Sequence, residues 1–176
     1  SNLSFALDSM TREIRTGSHY YCDAGTSSSG GSGSLRLFNS STLNERQTQN
    51  CSSADGTGAP AQAFHGISFD EGGESITAGN ASRRIAYFFD RAEGKLYRRL
   101  SGEGAESIVS DGIYIKEADF YVTGTAIGVA DDVQPKITIV LEAYNSLEDA
   151  EADEADPTTN RAYVIQTTVT QRSLDI

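Results

Sequence analysis

The densest run of chemically capable side chains lies between Leu147 and Pro157, where Glu148, Asp149, Glu151, Asp153, Glu154 and Asp156 occur without one intervening base. Carboxylates this crowded repel unless water solvates them or a cation is shared. Calcium takes six to eight oxygen ligands, and Asp149, Glu151, Asp153 and Asp156 could supply several of them. The spacing lacks the glycine and the alternation of an EF-hand loop. Two readings stay open: a solvated acidic hairpin tip, which the pattern favours, and a calcium loop. Asp70-Glu71 and Asp131-Asp132 pose the same question in shorter form. Calcium is the one cofactor these residues suggest.

Acid–base or nucleophilic chemistry would need His19 or His65, the two histidines. His19 stands beside Tyr20 and Tyr21 at a predicted helix end, where packing or a dipole role is ordinary. His65 precedes a predicted strand and has no acidic or hydroxyl neighbour at motif spacing. G-x-S-x-G, H-E-x-x-H, G-x-G-x-x-G and P-loop patterns are all missing. The residues therefore point away from an enzyme. Zinc finds none of its usual ligand spacings in two isolated histidines and two isolated cysteines.

Those cysteines are Cys22 and Cys51, each in Ser-, Gly- or Asn-containing surroundings. They could be unrelated buried thiols. The favoured reading is a disulfide, because free thiols in loops are a liability outside a reducing compartment, and this implies an extracytoplasmic protein. The formal net charge of −11 argues against nucleic acid, whose phosphates need a basic footprint, and against anionic membrane surfaces. No window reaches eighteen apolar residues, the span a membrane helix requires.

The elements that must carry these groups read as follows. Leu3, Leu7, Met10 and Ile14 recur at helical steps and form one apolar stripe, ended by Thr16-Gly17-Ser18. No N-cap precedes Leu3, and Ser1-Asn2 looks like a protease remnant, so the helix reads as cut into rather than begun. Residues 18–63 read as loop-rich, with a low-complexity stretch at 23–34, a short strand or turn at 35–38 and a polar helix near 43–49. From residue 64 onward strands dominate. Residues 83–89 and 95–100 flank Asp90-Arg91-Ala92-Glu93-Gly94 as a hairpin, 113–115 and 118–123 read as separate extended pieces, and 136–144 and 162–174 follow. Short connections imply antiparallel pairing. The expected class is α+β in a single domain over 1–176, an amphipathic helix packed through Leu3, Leu7, Met10 and Ile14 on an antiparallel sheet.

Two stretches carry a family resemblance: FALDSMTREIRTGSHYYC at the start, and ADFYVTG, QPKITIVLEAY and YVIQTTVTQRSLD in order near the end. Together they resemble type IV pilin-like proteins, of the minor pilin and J-type pseudopilin kind. The resemblance covers about half the chain and leaves roughly 23–82 unmatched. It implies a pilin-like fold in which Leu3 to Gly17 is the second half of a long helix. The apolar first half anchors such proteins in the inner membrane before assembly and packs the filament core afterwards. That half, its peptidase site and the glutamate near the mature N-terminus lie outside this sequence and are not carried over, which implies a domain that does not polymerise alone. The implied role is a structural subunit of a type IV pilus or type II secretion-type filament, at its tip or initiation complex, with other pilins or pseudopilins as partners at the cell surface or in the periplasm. The alternative is an extracellular calcium-dependent binding or adhesin module.

Overall fold

The computed structural model describes residues 2–22, 24–25, 36–37, 48, 50–51, 65–72, 84–101, 103–125, 133–159 and 161–172. Helix α1 (Asn2–Thr16) opens the chain. Strands β1 (Ser18–Cys22), β2 (Ala24–Gly25), β3 (Arg36–Leu37), β4 (Gly66–Asp70), β5 (Arg84–Asp90), β6 (Lys95–Leu100), β7 (Ala105–Ser107), β8 (Tyr114–Thr123) and β9 (Lys136–Tyr144) follow. Helix α2 (Leu147–Ala155), a 3-10 turn (Pro157–Thr159) and strand β10 (Tyr163–Thr170) complete it. The class is α+β with antiparallel sheets. No described helix is long and apolar enough to cross a membrane.

On α1 the spacing of Leu3, Leu7, Met10 and Ile14 puts them on one face, and all four are buried together with Ala6. The helix ends where Gly17 donates its N–H to Glu13 O at 3.0 Å. The open carbonyls are then met from elsewhere. Gly17 O accepts from the Tyr20 hydroxyl at 2.7 Å and from Gln171 Nε2 at 3.0 Å, and Arg15 O accepts from the Arg172 N–H at 2.9 Å. A side chain at Gly17 would collide with the Phe69 ring, so glycine lets the helix end sit directly on β4.

The expectation of one sheet divides into two. Five strands run in the order β1-β4-β5-β6-β7 and three in the order β10-β9-β8, every pair antiparallel, while β2 and β3 form a short parallel pair. Within the loop-rich 18–63 segment, β1, β2 and β3 are strands. Tyr20, Tyr21 and Cys22 of β1 are all buried, so this end of the strand is covered on both faces and shows no alternation to read. Between Ser18 and Tyr21 the register with β4 breaks, and there His19 adopts a left-handed φ of 51°. The hairpin of β5 and β6 is as expected, pairing Asp90 with Lys95 around Gly94, whose φ is 61°. The pieces expected at 113–115 and 118–123 fall, from Tyr114 onward, in one strand, β8, with an irregularity between Ile115 and Glu117. Residues 35–38 contain the two-residue β3. Apart from Thr48, the helix expected near 43–49 lies outside the described residues, as do Asp131-Asp132.

The acidic segment lies, as expected, at the tip that connects the antiparallel pair β9 and β10, with Glu148, Glu151, Glu154 and Asp156 exposed, and most of it is helical. Ser146 caps it by accepting the Asp149 N–H at 3.1 Å, and the acidic first turn, Glu148 and Asp149, suits the positive end of the helix dipole. One apolar cluster runs through α1, both large sheets and the cysteines: Met10, Ile14, Phe69, Tyr87 and Phe89 meet Ile115, Phe120, Ile139, Leu141 and Val169.

Candidate functional site

Three polar constellations are built on this frame. The first ties α1 to its sheet. Glu13, on the border of the buried stripe, receives Arg98 of β6 through Nε at 3.0 Å and a terminal nitrogen at 2.9 Å, and also the Tyr87 hydroxyl of β5. Burial raises the Tyr87 pKa, and the Glu13 carboxylate raises it further. The same bidentate bond raises that of Arg98. Opposite this seat, Phe5 stands 74% exposed on the outer face of the first turns. The helix thus presents an apolar inner stripe, a polar border and an exposed aromatic at its front.

The second constellation surrounds Arg84, whose side chain is fully buried at the start of β5. Its Nε donates to Ser68 Oγ at 3.0 Å, and a terminal nitrogen donates to His19 O at 2.8 Å. Asp70 lies 3.5 Å from the other terminal nitrogen and 3.0 Å from His19 Nδ1. The left-handed turn at His19 is what aims its carbonyl at Arg84 and its ring at Asp70. This network satisfies a buried charge where β1, β4 and β5 converge.

The third joins the two sheets. His65, just before β4, places Nδ1 at 3.2 Å from Glu117 Oε1, 3.8 Å from Asp119 Oδ1 and 3.1 Å from Ala118 O. Glu117 and Asp119 share one face of β8 because Ala118 and Phe120 alternate into the core. Arg91, in the β5–β6 turn, donates to both Glu117 oxygens at 2.8 and 2.7 Å and lies 3.4 Å from His65 Nε2. These partners assign the ring proton to Nδ1. Burial first, and then the neighbouring Glu117 charge, raises the Asp119 pKa, with His65 and Arg91 opposing. Among the described residues these three side chains form the one group of His, Cys, Asp or Glu whose ligand atoms lie within 4.8 Å of one another. The Glu-x-Asp spacing on a strand was the available sequence signal, but His65 comes to it only through the fold.

The residues suggested for calcium are not gathered in this way. Asp149 pairs with Arg161 at 2.6 Å. Asp153 accepts from the Thr159 hydroxyl at 2.7 Å, the Arg161 N–H at 3.1 Å and the Tyr144 hydroxyl at 3.0 Å, and these bonds lower its pKa. Asp156 accepts from the Thr158 hydroxyl at 2.6 Å and its N–H at 3.1 Å, which lowers its pKa too. Glu151 is exposed and, two residues from either aspartate, falls on another face of α2. Asp149 and Asp153 spend their oxygens closing the α2–β10 connection.

Cys22 and Cys51 are joined by a disulfide, with Cα atoms 5.2 Å apart. The Cys51 N–H donates to Val122 O at 2.8 Å and Asn50 Oδ1 accepts from the Thr125 N–H at 2.9 Å, so the bridge fastens β1 to the edge of β8. No protein-family model matches the chain, and neither a curated protein nor a solved structure matches it.

Proposed function

We propose that this chain is the globular domain of a type IV pilin-like subunit, a minor pilin or pseudopilin that acts by assembly rather than catalysis. The observation that carries the reading is α1 itself. Leu3, Leu7, Met10 and Ile14 are buried in the common core, Glu13 is clamped by Arg98 and Tyr87, and Phe5 is left exposed at the front. A helix fixed this firmly along one side can transmit the position of anything continuous with its N-terminal end to the whole domain. A filament subunit requires this of its helix, since neighbouring helices pack side by side while the sheets and loops face other subunits. The motifs FALDSMTREIRTGSHYYC, ADFYVTG, QPKITIVLEAY and YVIQTTVTQRSLD support the same reading by their order. The disulfide agrees with an extracytoplasmic location. Within this reading the partners are other pilins or pseudopilins of one filament, with tip or initiation-complex assembly as the specific role.

The test is the coding sequence upstream of Leu3. About twenty apolar residues running without a break into α1, behind a short basic leader with a prepilin peptidase site, are expected. A cleavable signal peptide ending just before the helix, or another folded domain there, overturns the proposal.

A further inference from the structure

We propose that His65, Glu117 and Asp119 bind one first-row divalent metal ion of the zinc type, with water completing the coordination shell. One imidazole nitrogen with two carboxylate oxygens is a donor set that suits zinc and its neighbours, whereas calcium and magnesium favour all-oxygen shells. The spacing also fits. Ligands about 2.0–2.1 Å from a tetrahedral ion lie about 3.3–3.4 Å from one another. The Nδ1–Oε1 and Nδ1–Oδ1 separations of 3.2 and 3.8 Å bracket that edge length. The two carboxylate oxygens lie within 4.8 Å of each other, so side-chain rotation of Glu117 and Asp119 closes the third edge.

The scaffold beneath the site is firm. Glu117 and Asp119 are held in β8 by the fully buried Ala118 and Phe120 between and beyond them. His65 is held by its carbonyl, which accepts the Phe89 N–H at 2.7 Å, and by edge contact of its ring with Phe89 at 5.8 Å. Arg91 occupies the position of a cation in this arrangement, but it reaches in from a turn and its side chain is 49% exposed. It can swing into water without disturbing the core. Metal bound at Nδ1 displaces the proton now shared with Ala118 O. The ring then carries its hydrogen on Nε2, which no longer accepts from Arg91. Ion and guanidinium therefore compete for one site. Because β8 belongs to one large sheet and His65 leads into β4 of the other, a bound ion cross-links the two. This inference is independent of the assembly reading.

The experiment is calorimetric titration of the chelator-treated, intact chain with zinc chloride, alongside thermal melting and cobalt absorption. One zinc per chain, a raised melting temperature and cobalt bands typical of a protein-bound ion are expected. His65→Gln should weaken binding at least tenfold, Arg91→Ala should strengthen it severalfold, and His19→Gln should leave it unchanged. No heat with zinc, affinity unchanged in His65→Gln, or weak uptake by many sites on the acidic surface overturns the proposal. Should His65→Gln fail to fold, the His65 ring signals of the unaltered protein decide by NMR. A zinc-dependent shift of those signals upholds the site, and signals that stay in place overturn it.

Discussion

Strands β5 and β10 have similar ingredients and opposite fates. Arg84-Ile85-Ala86-Tyr87-Phe88-Phe89-Asp90 and Tyr163-Val164-Ile165-Gln166-Thr167-Thr168-Val169-Thr170 are both rich in residues that favour strands. In β5 every residue but Asp90 is buried; in β10 only Val169 is. The cause is position. β5 pairs on both sides, with Ile85, Tyr87 and Phe89 turned into the cluster that includes α1 and Ala86 and Phe88 turned into a second cluster with Tyr21 and Tyr97. β10 pairs with β9 alone, at the end of its sheet, and leaves Val164 69% exposed. Strand composition says that a segment can join a sheet. Layer and edge decide how much water it loses.

The sharpest test of this difference is polar rather than apolar. Arg84→Ala removes a fully buried guanidinium and leaves Asp70 beneath the surface without it, so a loss of about 3–5 kcal/mol is expected in chemical denaturation. A loss under about 1 kcal/mol would mean that water reaches the start of β5 as freely as it reaches β10. Next in size is the disulfide. Cys22→Ser with Cys51→Ser opens a bridge spanning 29 residues and should cost roughly 3–4 kcal/mol, read as a lower denaturation midpoint. Since the bridge fastens β1 to β8, hydrogen exchange should quicken along those strands more than along β10. Uniform quickening would remove the claim that the bridge acts at the junction of the sheets.

Local signals in the sequence were enough for some of this and not for the rest. The stripe of Leu3, Leu7, Met10 and Ile14 and the hairpin around Gly94 depend on neighbours a few residues away, so spacing alone reveals them. Two cysteines allow a single intramolecular pair. Division into two sheets is different, since which strand lies beside which is decided by contacts between distant segments. β1 was hidden because both its faces are covered. α2 is legible in principle: Ser146 stands three residues before Asp149 at capping distance, and Ala150, Ala152 and Ala155 favour helix, whereas the density of charge speaks to solvation and not to conformation. His65 meets Glu117 and Asp119 only when β4 and β8 come together, so its chemistry has no local signature.

The acidic groups sharpen the comparison further. Asp119, on the strand that backs the core, has its pKa raised by burial and by Glu117; Asp153, beside the approach to β10, has its own lowered by bonds from Thr159, Arg161 and Tyr144. For Asp153 the folded value lies below the unfolded one. Its contribution is therefore present above the unfolded value and is lost as pH falls through the folded value. For Asp119 the sign reverses: the fold opposes the ionised form, and that opposition lifts as pH falls through the folded value. Carboxyl NMR titration of chelator-treated protein should place the two on opposite sides of the ordinary aspartate range. Both on the same side would erase the distinction.

The smallest expected effect is the most direct check on β10. Val164 lies on the open face of an edge strand, so Val164→Lys should change stability by no more than about 0.5 kcal/mol. The substitution removes little buried apolar area, and lysine on an edge strand is a common natural device against unwanted pairing. Thr138 and Thr168 contact each other at 3.0 Å on the exposed surface of the same β9–β10 pair, so the neighbouring register has its own cross-strand bond to hold it. If Val164→Lys instead lowers stability by about 2 kcal/mol or more, as a core-sized loss would, then Val164 is covered in solution. The exposed edge would then be an occupied surface, and the contrast with β5 would belong to the isolated chain alone.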